Sequence, residues 1–294
     1  MRIALLGLGL VGGSLARAVR RGGQDLLVAW TPSGAGPAAG LAGGVLDEAP
    51  PSPEAAIEGA DLVVLAAPPL ECLELIDRIA GAWRSALRPE ATITDVASTK
   101  GAIVRRADDA GLPFVGGHPM AGREMSGYSA SSEDLFTGRP WVVVPGAAAR
   151  EADIVRVEEL ASRAGGRPVR MSAADHDAAV AAISHLPLLA SAALVEAVGS
   201  WVDAGMGDPR ILASLAASGW RDMTRLSAGD PAMGAGILAT NTEAVVEVLE
   251  RLRRTLDAWA AELAAPEGPD PGRLEERLGS ARSRLASMGR PVEG

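Results

Sequence analysis

A chain of 294 residues with a formal net charge of −9 is long enough to bury a sizeable core, and its length fits one large domain or two ordinary ones; two is the working number. Its single cysteine, Cys72, excludes an internal disulfide framework and a paired-thiol zinc site, and points to a reducing, cytoplasmic setting. The acidic balance leaves no basic footprint for nucleic acid, so an anionic ligand has to be met by a few local arginines.

The N-terminal run MRIALLGLGLVGG has one basic residue, no small-residue cleavage site and nothing near the roughly 18 continuous apolar residues of a membrane span. It reads as the first strand and turn of a soluble, unexported protein. The strand RIALL enters Gly7-Leu8-Gly9-Leu10-Val11-Gly12, and LARAVRR continues as a helix. Gly7 permits the turn, Gly9 lets the backbone approach a pyrophosphate, and Gly12 lets helix and strand pack closely, with the helix N-terminus facing the phosphates. The alternative is a plain tight turn in a glycine-rich chain. The second strand, DLLVAW, ends at Trp30, and the tip position that often carries an acidic residue for the ribose hydroxyls is Thr31. Without a carboxylate there the 2′-phosphate of NADP is not repelled, and Thr31 and Ser33 can hydrogen-bond it, yet no arginine follows at once to neutralise it. The cofactor is therefore NAD or NADP, and Thr31-Pro32-Ser33-Gly34 also reads simply as a turn.

Further short apolar runs follow, DLVVLAAP, ATITDV, LPFVGG, WVVVPG and RPVRM, with helical stretches between them. Strands separated by helices predict right-handed crossovers and a doubly wound, mainly parallel, Rossmann-like sheet over residues 1–171. Cys72, on the apolar stripe of PLECLELIDRIAGAW, reads as core. After Ser172 the strand signal ends. AAVAAISHLPLLASAALVEAV, PRILASLAASGWRDMTRL and GAGILATNTEAVVEVLERLRRTLDAWAAELA are helical and apolar on more than one face, which predicts an all-α domain over 172–294 that binds substrate and dimerises. APEGPDPG then breaks the chain before a charged, surface-packed helix, RLEERLGSARSRLASM.

The three histidines fall in two motifs, His118 in GGHPMAGREMSG and His176 and His185 in DHDAAVAAISHLP. TITDV runs into Ala97-Ser98-Thr99-Lys100, and FVGG runs into His118-Pro119. The carboxyl ends of strands line the crevice of a doubly wound sheet, so Ser98 and His118 are placed to face each other there. Ser98 also reads as a helix N-cap and His118 as a turn residue. Lys100 either approaches the cofactor or ends a helix turn. His176, between Asp175 and Asp177 near a helix start, reads as a capping residue.

GLGLVGGSLARAV, DVASTKGAI, GGHPMAGREMSG, DHDAAVAAISHLP and GWRDMTRLSAGDP, in this order, resemble the prephenate/arogenate dehydrogenase family of tyrosine biosynthesis over roughly residues 1 to 255. The resemblance implies an NAD(P)-dependent oxidative decarboxylation of a cyclohexadienyl substrate, prephenate or arogenate, by a homodimer that engages neither nucleic acid nor membrane. It implies that His118 accepts the ring-hydroxyl proton, that Ser98 hydrogen-bonds and orients His118, that Arg225 grips a substrate carboxylate with Arg221 one turn away, and that His185 sits near the substrate. The alternatives are a solvated helix surface or salt bridges for the two arginines and a core or cap role for His185. Arg123 and Glu124 border the pocket without assignment. Many relatives read SHLPH where this chain has SHLPL, so one imidazole is missing, and the sequence ends too soon for an attached regulatory domain. Rival readings are a β-hydroxyacid or imine-reducing dehydrogenase, disfavoured because no lysine follows Lys100, and a non-catalytic dinucleotide sensor.

Overall fold

The computed structural model describes residues 1–122 and 125–289. Seven strands, β1 (Arg2–Leu6), β2 (Leu26–Trp30), β3 (Leu62–Leu65), β4 (Thr92–Asp95), β5 (Phe114–Pro119), β6 (Pro140–Pro145) and β7 (Arg167–Arg170), form one sheet in the order β2-β1-β3-β4-β5-β6-β7. These are the seven apolar runs of the sequence. All pair parallel except β5 with β6. The helices between them are α1 (Leu10–Gly22), α2 (Ala35–Ala42), α3 (Pro53–Ile57), α4 (Pro69–Ala80), α5 (Gly101–Asp109) and α6 (Glu151–Arg163). Because helices cover both faces, every residue of β3 and β4 is buried, which is why β3 reads as an unbroken apolar run, LVVL, and not as alternation. Successive side chains feed two cores: Ile3 and Leu5 pack with Leu15, Val64 and Trp141 on one face, Ala4 and Leu6 with Val63, Ile76 and Phe114 on the other. Cys72 is buried in the second, as expected, and burial pushes its thiol pKa up.

The sheet order reverses between β1 and β3, and this switch point opens a crevice beyond the carboxyl ends of the strands. Leu6, Leu65 and Asp95 lie level with one another, and Thr94 pairs with Val115, so Gly116 continues that level on β5. Gly7, Ser98 and His118 therefore all project past the same edge of the sheet.

The helical half comprises α7 (Ala173–Val180), α8 (Leu186–Asp203), α9 (Pro209–Leu215), α10 (Ser218–Thr224), α11 (Pro231–Thr240), α12 (Thr242–Leu263) and α13 (Pro271–Ser287). Two of the long helices read from the sequence are interrupted: extended backbone at Ala216 and Ala217 separates α9 from α10, and Asn241 separates α11 from α12. Between α7 and α8 the run Ala181–His185 is a π turn closed by Leu186 N–H donating to Ala181 O. Pro187 has no N–H to offer the carbonyl of Ile183, and the wider turn absorbs that lost bond. By its contacts the chain divides within α12, into Met1–Val245 and Val246–Gly294. The first unit holds α7 to α11 with the sheet because buried side-chain bonds tie them to it: Thr99 Oγ1 lies 2.8 Å from Thr240 Oγ1, and Asn241 Nδ2 donates to Asp177 O at 2.9 Å. In the second unit the Arg277 guanidinium stacks 3.9 Å over Trp259, and Arg273 pairs with Glu262 at 3.2 Å.

Candidate active site

The glycine loop leaves β1 with Gly7 at φ 114°, a left-handed conformation that favours glycine. A Cβ at Gly7 would lie 2.1 Å from Ala66 O, and one at Gly12 would lie 2.4 Å from Gly7 O, so both glycines let α1 sit against β1 and β3. Gly9 differs. A Cβ there would meet nothing within 4 Å, and no side chain caps the N-terminus of α1 that it begins. Open space in front of an uncapped helix N-terminus is the environment a pyrophosphate needs. At the tip of β2, Thr31 Oγ1 accepts from Gly34 N–H at 3.2 Å and Ser33 Oγ from Ala35 N–H at 3.4 Å, which leaves each hydroxyl a proton to donate.

Just past β4, the chain is held by charge. Asp95 accepts from Gly117 N–H at 3.0 Å and Ala97 N–H at 3.1 Å and forms a buried ion pair with Lys100, so the Lys100 side chain turns back to the end of β4 and is fully buried. Two glycines on β5 make room for this. A Cβ at Gly116 would sit 3.0 Å from Lys100 Cδ, and one at Gly117 would sit 2.5 Å from Asp95 O. The GG before His118 is thus a packing requirement that brings β5 against β4 and delivers the histidine at the strand end.

His118 Nδ1 lies 2.8 Å from His176 Nε2, with the rings edge-on, 5.1 Å between centroids and 77° between planes. His176 Nδ1 lies 2.7 Å from Asp177 Oδ1. Asp177 in turn accepts from Lys100 N–H at 2.8 Å and Gly101 N–H at 2.7 Å, the opening amides of α5. Two expectations are corrected here. His176 does not cap α7, whose cap is Ser172, accepting from Asp175 N–H at 3.0 Å; it is a fully buried partner of His118. Ser98 does not cap α5, because Asp177 does so from 76 residues away. Nor does Ser98 bond His118: half-buried past the end of β4, it makes no side-chain hydrogen bond among the described residues, and His176 holds the ring instead.

Burial drives the His118 pKa well below its ordinary 6.5, helped by His176, Lys100 and His185. Burial also works against the charge on Asp177, but the hydrogen bonds from His176 and the two amides outweigh it and hold the carboxyl below its ordinary value. His185, in the π turn, is 1% exposed, and burial lowers its pKa to about 4. Its Nδ1 lies 3.2 Å from Asn241 Nδ2, whose other proton goes to Asp177 O, so Nδ1 accepts and Nε2 carries the hydrogen. That Nε2 is buried without a partner among the described residues.

Arg221 and Arg225 are exposed, on α10 and on the 3₁₀ turn Arg225–Ala228 after it, which packs on α8 through Ser191 and Ser227, 2.7 Å apart. Arg123 and Glu124 lie outside the described residues. Sequence reading passed over the buried partners, Asp177, Asn241 and the Asp95–Lys100 pair. The adjacent His and Asp of DHD were the one local signal.

A doubly wound sheet with a glycine loop before an uncapped helix, and an imidazole at the neighbouring strand end, defines an NAD(P)-dependent dehydrogenase. Residues 15–170 match the prephenate dehydrogenase nucleotide-binding domain and residues 172–278 the prephenate dehydrogenase dimerization domain. The chain is 32% identical over 260 residues to prephenate dehydrogenase of Bacillus subtilis, an alignment covering 87% of this chain and 68% of the relative. The crystal structure of Synechocystis arogenate dehydrogenase is similar at 30% identity and a TM-score of 0.78, covering 97% of this chain and 100% of that one. Aquifex aeolicus prephenate dehydrogenase in complex with hydroxyphenyl propionate and NAD+ is similar at 26% identity and a TM-score of 0.86, covering 98% of both chains. The chain belongs to the prephenate dehydrogenase family.

Proposed function

We propose that this protein catalyses the NAD(P)-dependent oxidative decarboxylation of prephenate or arogenate, the hydride-transfer step toward tyrosine, in the cytoplasm. The observation that carries the reading is a neutral imidazole, His118, at the end of β5 on the edge of the sheet where the glycine loop opens. The dinucleotide fits Gly7, Gly9 and Gly12 by the open space at Gly9 and the uncapped α1, with Thr31 and Ser33 at its ribose. When bound, it supplies the hydride acceptor for the hydroxyl-bearing ring carbon, while the bond to the ring carboxylate breaks, its electron pair enters the ring, and carbon dioxide leaves. His118 accepts the ring-hydroxyl proton as that hydride departs, and the phenolic oxygen regains a proton once the ring is aromatic. General-base catalysis of this kind contributes about 10²- to 10⁴-fold. Ser98, in the same crevice, is a hydrogen-bond donor to the ring oxygen.

His185 presents its buried Nε2–H to the substrate. A buried donor left unpaired costs about 1–3 kcal/mol, a cost that an incoming carboxylate or hydroxyl oxygen removes. Arg225, with Arg221 near it, binds a second carboxylate bidentately. The boundary between nucleotide and substrate modules is placed at 171/172, and the meeting of the two family matches at 170 and 172 supports it. The partner is a second copy of this chain. Ala173–Asp203 is long and apolar enough to cross a membrane, with mean hydropathy 1.9, but it lies within the stretch that matches a dimerization domain. On this reading the cover for its apolar surface is another protomer, with neither membrane nor nucleic acid as a partner.

The test is steady-state turnover of prephenate and arogenate, each with NAD+ and NADP+. His118→Asn is expected to lose most of kcat while still binding dinucleotide; native-like turnover in that variant refutes the base. A chain that binds dinucleotide and oxidises neither substrate is instead a sensor.

A further inference from the structure

We infer that His176 is a positioning residue that, backed by Asp177, fixes His118 in the tautomer with its proton on Nδ1 and its lone pair on Nε2. The inference rests on the reading of His118 as the base. It follows from the order of donors and acceptors. A carboxylate held below its ordinary range only accepts, and Asp177 already receives the amides of Lys100 at 2.8 Å and Gly101 at 2.7 Å. Its contact at 2.7 Å with His176 Nδ1 therefore places the His176 proton on Nδ1. A neutral His176 then has a bare Nε2, and the ring nitrogen facing it at 2.8 Å, His118 Nδ1, has to be the donor. The opposite tautomer of His118 would set two lone pairs against each other at that separation. With Nδ1 protonated, His118 Nε2 is free to take a proton from the ring hydroxyl.

The surroundings show that this alignment is built in. Asp177 closes the N-terminus of α5, where two amides and the helix dipole hold a negative charge. Gly101 is required for that approach, because a Cβ on it would lie 2.8 Å from Asp177 Oδ2. His176 is 1% exposed, so water does not compete for its Nε2. When His118 is protonated, its Nδ1–H becomes a charged donor to His176, and the carboxylate behind steadies the imidazolium without accepting a proton itself.

With three histidines in the chain, a 15N-histidine-labelled native protein saturated with NAD+ yields three rings to read. Signals are assigned by their loss in His118→Asn and His176→Gln. The expected result is Nδ1–H on both His118 and His176 at neutral pH; Nε2–H on His118 overturns the proposal. In turnover, His176→Phe is expected to lower kcat at least about tenfold, a part of the about 10²- to 10⁴-fold that a general base contributes, with the substrate KM near the native value. His176→Gln, whose amide oxygen can accept from Nδ1, is expected to recover part of that loss. Native kcat in His176→Phe, or equal losses in the Phe and Gln variants, overturns the proposal. The base itself is judged separately. Native-like turnover of His118→Asn defeats the base while the labelled spectra still decide the tautomer, and an inactive His118→Asn beside a fully active His176→Phe defeats the positioning alone.

Discussion

Two imidazoles that resist protonation, His185 fully buried and His118 partly so, tie the chemistry of this protein to its stability. In the unfolded chain His118 and His185 titrate near 6.5; in the folded chain burial lowers both, His185 to about 4. Below 6.5 the unfolded state binds more protons than the folded one, so stability falls as pH is lowered through that window. The stabilisation is fully present above 6.5 and is lost progressively as pH approaches 4. Melting temperature is expected to be flat above pH 6.5 and to decline between 6.5 and 4 in the native chain, and to decline less steeply in His185→Gln. Superimposable curves would show that His185 does not carry this linkage. At this scale the sequence was a partial guide. It isolated His118 because glycine and proline flank it, and His185 through the resemblance of SHLP to the family motif, but it assigned His176 to capping, since its partner His118 lies 58 residues away and only the fold brings them together. The family resemblance implied Ser98 as the partner of His118, where the fold supplies His176.

Among elements, the glycine loop separates shape from ligand binding. Gly7 is at positive φ and its Cβ position is filled by Ala66 O, whereas Gly9 is at negative φ and its Cβ position is open. Gly7→Ala is therefore expected to lower the melting temperature of the dinucleotide-free protein. Gly9→Ala is expected to leave it nearly unchanged and to weaken NAD+ binding, seen as a smaller ligand-induced rise in melting temperature. A native-like rise in Gly9→Ala would remove the phosphate from this loop. Strands and loop were legible because their signals are local: short apolar runs bounded by turn residues, and glycines at fixed offsets behind β1. The π turn was not legible. A widened turn barely disturbs an apolar pattern, and only Pro187 in SHLP hinted that the helix through residues 173–203 could not run regularly past His185.

For the whole molecule, the apolar surface of the helical half demands cover. Trp201 is 42% exposed, Ile211 57%, Leu215 74% and Met223 58%, all within the stretch that matches a dimerization domain. A dimer that buries them is expected in solution, and Leu215→Glu is expected to shift it toward monomer, as read by light scattering after size exclusion. A native chain that is monomeric at micromolar concentration would contradict this. The sequence announced these helices by being apolar on more than one face, yet it could not say which residues stay outside the single-chain core, because that depends on how α8 to α11 pack on one another.

The carboxylate of Asp177 serves two masters, closing the first turn of α5 and aligning an imidazole pair. Any breathing motion that unwinds that turn lets the histidines drift in the same instant. The rate at which its opening amides, Lys100 and Gly101, exchange with deuterium thus also measures how often this reaction centre falls out of register.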